Sequence, residues 1–132
     1  MKANELMAGD WVLIKRTPSC EYPYKICSIN NYSILGEEYA DWIEVEAGEE
    51  INLEEIKPIP LTAEILEKNG FTKSNIFVEW KYEEEGIYIL WKPFPFLKIE
   101  TENVQLNLSG CEYVHELQHA FKDCGIEKEI VL

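Results

Sequence analysis

I-F-V-E-W-K-Y-E-E-E-G-I-Y-I-L-W, residues 76–91, is the stretch whose reading decides the fold. Successive side chains of a strand point to opposite faces, so residues two apart share a face. Ile76, Val78, Trp80 and Tyr82 fall on one face of such a strand, and Ile87, Ile89 and Trp91 on one face of the next. Glu83 to Gly86 reads as the acidic turn that joins them. A third strand is predicted from Phe94 to Ile99, with Pro93 and Pro95 placing it at an edge or delaying its start. Val104, Leu106 and Leu108 make a fourth, with Gln105 and Asn107 outward. Four strands joined by short connections form an antiparallel meander with one apolar face.

That face needs a cover. Ser109 to Gly125 reads S-G-C-E-Y-V-H-E-L-Q-H-A-F-K-D-C-G. Ser109 followed by Glu112 predicts a capping box, and Gly125 a stop. Tyr113, Val114, Leu117, Ala120, Phe121 and Cys124 recur with helical spacing and face the core. This helix is expected across the sheet, followed by a terminal strand or extended tail over 127–132. Upstream of the meander, Leu61 to Gly70 predicts a short helix. Thr62 is its cap, Ile65 and Leu66 its buried positions, and Asn69-Gly70 its end.

Residues 11–59 read differently. Short β-rich runs are predicted at Trp11–Ile14, Tyr24–Ile29, Tyr32–Leu35, Tyr39–Val45 (anchored by Trp42) and Leu53–Ile59. Gly9-Asp10 and Asn30-Asn31 read as turns, and Thr17–Pro23, with two prolines, as a loop. Five short strands over so few residues suggest a small, strongly bent barrel. The expected fold is therefore α+β: an N-terminal SH3-like small β-barrel (residues 1–60), then a helix–antiparallel β-meander–helix unit (residues 61–132) packed on the first part.

Composition narrows the function. The 132 residues are 46% hydrophobic, enough to build a core, and carry a net charge of −13. Phosphate backbones are bound by clustered Lys and Arg, and no such cluster is present, so direct nucleic-acid binding is not expected. An acidic surface instead suits a protein partner with a basic surface. No apolar run is long enough to span a bilayer, so no membrane role is expected. The opening residues lack the features of a signal peptide, which predicts a cytoplasmic location. Cys20, Cys27, Cys111 and Cys124 match no zinc module and are expected as free thiols, Cys124 within the core stripe.

One motif carries possible chemistry: His115-Glu116-Leu117-Gln118-His119, a literal H-E-x-x-H. In the catalytic reading, His115 and His119 hold zinc and Glu116 acts as general base. In the alternative, they lie on a solvated helix face opposite the apolar arc. A catalytic zinc takes three protein ligands plus water. Asp123 lies about 12 Å along the helix axis from His115, too far to share an ion with it. Glu127 and Glu129 fall in the tail, and nothing in the pattern brings Glu83, Glu84 or Glu85 to the pair. The expected cofactor is therefore none, with zinc the alternative. Glu83 to Glu85 reads as a solvated turn in preference to a metal loop. Trp80, Trp91, Phe94 and Phe96 read as core in preference to a stacking platform.

The segments M-K-A-N-E-L-M-A-G-D-W-V, I-P-L-T-A-E-I-L-E-K-N-G-F and Y-V-H-E-L-Q-H-A-F-K-D-C-G-I-E-K-E-I also carry a resemblance. Together they resemble a family of small uncharacterised proteins encoded in gut bacterial genomes, often within phages and other mobile elements. In that family the segment matching Tyr113–Gln118 recurs, while the position of His119 is often held by a residue unable to bind zinc, such as Asn. The resemblance implies that H-E-x-x-H is incidental here, and implies a phage or mobile-element setting. The expected function is a small non-catalytic protein acting through protein–protein interaction. The alternatives are a zinc-dependent hydrolase and an acidic nucleic-acid mimic.

Overall fold

The computed structural model describes residues 5–17, 20–34, 37–46, 48–52 and 55–132, with side chains described in these ranges except at 16, 17, 20, 30–34 and 37–42. The chain is α+β, mostly antiparallel sheet with two helices, and divides into two compact units, Met1–Ile59 and Pro60–Leu132.

The first unit contains β1 (Trp11–Thr17), β2 (Cys20–Ile34), β3 (Glu37–Val45), β4 (Glu50–Asn52) and β5 (Ile56–Lys57). They form one antiparallel sheet in the order β4-β3-β2-β1-β5, and no closed barrel is detected among the described residues. The turn expected at Asn30-Asn31 is instead a register shift within β2, which joins two predicted strands into one. The loop expected around Pro23 is also strand. Pro23 pairs with Leu13 of β1, and β3 joins β2 only from Ile26 onward, so the missing N–H disrupts no second ladder. Leu6, Val12, Ile14, Ile26, Ile43, Val45, Ile51 and Ile56 form the core, with Tyr24 and Ile29 packed against it. The predicted turn at Gly9-Asp10 is present. Gly9 N–H donates to the Ile26 carbonyl at 2.7 Å, and the Met7 N–H donates to the Asp10 carboxylate at 2.9 Å. The side chains of Trp42 and Cys20, and residue Leu53, lie outside the described residues.

The second unit contains α1 (Ala63–Lys68), β6 (Thr72–Lys73), β7 (Trp80–Glu84), β8 (Ile87–Lys92), β9 (Phe96–Thr101), β10 (Gln105–Ser109) and α2 (Val114–Asp123). The sheet runs β10-β9-β8-β7-β6, each strand beside its neighbour in the chain. Alternation places Trp80, Tyr82, Ile89, Trp91, Leu97 and Ile99 on its buried face. Val114, Leu117, Ala120 and Phe121 of α2 are buried as well. Trp91 Nε1 donates to the Cys111 carbonyl at 2.8 Å and ties the sheet to the approach of α2.

Both helices end in the same way. At α1 the Phe71 N–H donates to Leu66 O and the Gly70 N–H to Glu67 O. At α2 the Ile126 N–H donates to Phe121 O and the Gly125 N–H to Lys122 O. This is the Schellman arrangement, which satisfies the last carbonyls and packs the residue after glycine onto the helix. Gly70 is doubly required. Its φ is +90°, and an added Cβ would lie 3.2 Å from the Tyr82 ring. Thr62 caps α1 as expected, accepting from the Ile65 N–H at 3.3 Å.

Two segments of this unit differ from expectation. Ile76 and Val78 do not continue the face of Trp80 and Tyr82. They belong to a bend over residues 75–78 and are 83% and 62% exposed. Phe94, expected in the core, is 75% exposed in the turn before β9.

Candidate functional site

The H-E-x-x-H segment sits in the first half of α2, but its start differs from expectation. Ser109 ends β10, and Tyr113 is the N-cap residue. The first backbone N–H groups of a helix have no partner within it. Here Glu116 supplies one. Its Oε1 accepts from the Tyr113 N–H and the Glu112 N–H, each at 3.2 Å. The carboxylate considered as a general base is thus turned back onto the backbone at its own helix start, where it also meets the positive end of the helix dipole.

His115 is buried, 5% exposed, which corrects its expected place on a solvated face. Its ring stacks on Tyr113 at a centroid distance of 5.9 Å and an interplanar angle of 12°. On the other side His119, half-buried, meets it edge-on at 5.6 Å and 77°. The three rings form a short aromatic stack along the first turns of α2. Asp123, Glu127 and Glu129 are exposed, as are Glu83 and Glu84 at the end of β7 and Glu85 after it; the acidic turn expected from Glu83 to Gly86 is only Glu85-Gly86, since Glu83 and Glu84 pair with Tyr88 and Ile87 of β8. Among the described residues, no group of three or more His, Cys, Asp or Glu side chains gathers in a way that could hold a metal ion. Among the described residues, the histidine pair is thus without the third protein ligand that a catalytic zinc takes.

The cysteines divide by environment. Cys27 is exposed, whereas Cys111 and Cys124 are buried, and all three are free thiols. Burial, and then the nearby Glu116 charge, push the Cys111 thiol from 9.0 up to about 12. Burial and Asp123 raise Cys124. The thiolate is the nucleophile, so these groups are inert in the folded protein. Iodoacetamide at mildly alkaline pH therefore labels exposed Cys27 at least about tenfold faster than buried Cys111, read by peptide mass mapping. The same shift sets a pH dependence. Between pH 9.0 and about 12 the unfolded chain releases the Cys111 proton while the folded chain keeps it, so stability falls as pH rises through that window.

Sequence reasoning missed one feature of shape. Glu85, Gly86, Thr101, Glu102, Asn103 and Gly125 line an open cleft of about 370 Å³. It lies where the β7–β8 and β9–β10 turns meet the end of α2, with Cys124 and Ile126 in its wall. No spacing rule links these positions; only the meander brings them together. No helix among the described residues is long and apolar enough to cross a membrane. Comparison with family models, with curated proteins and with solved structures finds no match.

Proposed function

We propose that this chain is a small non-catalytic cytoplasmic protein, of phage or mobile-element origin, that acts by binding a protein partner with a basic surface. The observation that carries the reading is the hydrogen bonding of Glu116. Its carboxylate serves the start of α2, and His115 is packed between Tyr113 and His119, so the motif is accounted for as helix architecture. The net charge of −13 supports a basic partner. So does the gathering of Glu83, Glu84, Glu85, Glu100 and Glu102 at one end of the second sheet, beside the cleft. The first unit, with strand order β4-β3-β2-β1-β5, is read as an SH3-like small barrel, a fold whose meander and returning fifth strand this order fits.

Two variants separate a structural Glu116 from a catalytic one. Glu116→Ala lowers thermal stability by about 1 kcal/mol through loss of the cap, while Glu116→Gln, which keeps an acceptor, loses at most half of that. Protein purified without a histidine tag and dialysed against zinc retains less than about a tenth of an equivalent of the metal. Stoichiometric zinc, with both Glu116 variants as stable as the parent, would establish the hydrolase reading instead. The partner is sought by pull-down from host cytoplasm, with Glu85→Lys/Glu102→Lys as the variant that loses it.

A further inference from the structure

Each sheet has two edge strands, and the chain treats them unequally. An edge strand offers a row of unpaired N–H and C=O groups, which proteins blunt by short length, charge, proline or a bulge. Among the described residues β4, β5 and β6 follow that rule. β4 has three residues and carries Glu50; β5 has two, with Lys57 followed by Pro58; β6 has two and carries Lys73. β10, Gln105–Ser109, does not. Its five residues, Q-L-N-L-S, include no charge and no proline, and they pair with β9 in an unbroken register.

The direction of its free groups follows from the ladder. Hydrogen-bonded and non-hydrogen-bonded residues alternate along an antiparallel pair. The Thr101 N–H donates to Val104 O at 2.8 Å, and the Gly110 N–H donates to Pro95 O at 3.1 Å. Leu106 and Leu108 are therefore the residues bonded to β9 between these points, opposite Ile99 and Leu97. The N–H and C=O groups of Gln105, Asn107 and Ser109 point away from the sheet. All three of these residues are exposed, and Leu106 and Leu108, on the core side, are only half-buried.

The strand that fits this edge is a second copy of itself. A two-fold axis through Asn107 sets a second β10 antiparallel to the first with all five residues paired. Asn107 then faces Asn107 of the second copy, Gln105 faces its Ser109, and Leu106 faces its Leu108. The outward groups meet in register and exchange about six hydrogen bonds. Two leucine pairs carry the apolar face across the junction, and amides and hydroxyls fill the other face. No charge meets a like charge within the paired strands, although each chain carries −13. On β9, Lys98 and Glu100 lie beside Asn107 and Gln105 and pair with each other at 3.0 Å. Glu102 and Glu112 stand beyond the two ends of the strand.

We propose that β10 is a self-association edge, through which two copies join their second sheets by antiparallel β10–β10 pairing. This property is independent of the partner binding proposed above. Five residues a side bury less than the roughly 1,200–2,000 Å² of a standard interface, so the dimer is weak and forms at high protein concentration.

The test is sedimentation velocity of the full chain from about 5 µM to about 1 mM, in about 0.15 M salt to screen the remaining surface, with amide exchange read by NMR. The chain is expected to pass from monomer to dimer over this range. On dimerisation the Gln105, Asn107 and Ser109 amides should exchange at least about tenfold more slowly, while those of Leu106 and Leu108, already bonded to β9, change little. Asn107→Pro removes an outward N–H and no bond to β9, and should weaken association at least about tenfold with an unchanged near-UV circular dichroism spectrum. Oxidised Asn107→Cys should form a cross-linked dimer above the background of the parent chain, because the Cα atoms of a hydrogen-bonded pair stand about 5.5 Å apart, within disulfide reach. Gln105→Cys should not, since its two copies would lie about 14 Å apart. A chain monomeric at about 1 mM, exchange of the three amides that ignores concentration, a dimer unaffected by Asn107→Pro, or Gln105→Cys cross-linking as readily as Asn107→Cys would each overturn the proposal.

Discussion

Phe121→Ala lowers the stability of the second unit by about 3–5 kcal/mol, measured as a shift in the urea midpoint at constant slope. Phe121 is 1% exposed and among the largest side chains fully buried in the protein. Truncation removes its transfer free energy and leaves a cavity between helix and sheet that close-packed neighbours cannot fill. A second effect adds to the first. Phe121 O accepts from the Ile126 N–H at 2.8 Å where α2 ends, and Ile126 is 7% exposed; in this kind of helix end the two side chains commonly pack together. Domain stabilities are about 5–15 kcal/mol, so this single change removes about a fifth of the total or more. Phe121→Leu, which keeps most of the volume, should cost under about 1.5 kcal/mol. An alanine effect below about 1 kcal/mol would mean that α2 does not cover the core.

Asn69→Ala costs about 2–3 kcal/mol, although it deletes only a short polar side chain. Asn69 is 4% exposed at the end of α1. Its Nδ2 donates to Ile65 O at 2.7 Å and to Val131 O at 2.8 Å, and its Oδ1 accepts from the Val131 N–H at 2.8 Å. The amide thus acts as a substitute strand, pairing both backbone groups of Val131. Alanine leaves the Ile65 and Val131 groups without it, at about 1 kcal/mol each. Part is recovered from water, since Val131 is 48% exposed. Amide exchange distinguishes this account from a general loss of packing: the Val131 N–H should lose its protection while the β8 and β9 amides keep theirs relative to global stability.

The parts of the fold legible in the sequence are those where burial follows one period. In β8 and β9 the alternation of Ile89, Trp91, Leu97 and Ile99 maps directly onto buried positions. In α2 the stripe from Val114 to Cys124 does the same. Misreadings cluster where local rules are indifferent to tertiary partners. Ile76 and Val78 alternate correctly with Trp80, but period two says nothing of whether a strand lies alongside. The pairing of β6 with β7 begins only at Trp80. Asn30-Asn31 has turn chemistry, yet a β-bulge suits the same residues. Ser109 and Glu112 have capping-box spacing, and so do Tyr113 and Glu116; the strand run through Ser109 selects the latter. His115 lies opposite the apolar arc on an ideal wheel. A wheel cannot register the stacking partner at Tyr113, just ahead of the helix.

The tie between Asn69 and Val131 has a kinetic consequence. Every pairing in the second sheet joins strands adjacent in the chain, so each hairpin closes a short loop and forms early. Asn69 reaches a residue 62 positions away. Such a long-range contact is expensive in closure entropy and has little reason to exist at the rate-limiting barrier. Interactions absent at the barrier leave refolding rates alone and govern escape from the native state. The loss in Asn69→Ala should therefore appear almost entirely as accelerated unfolding, which makes one buried amide a brake on how long the C-terminal unit stays closed.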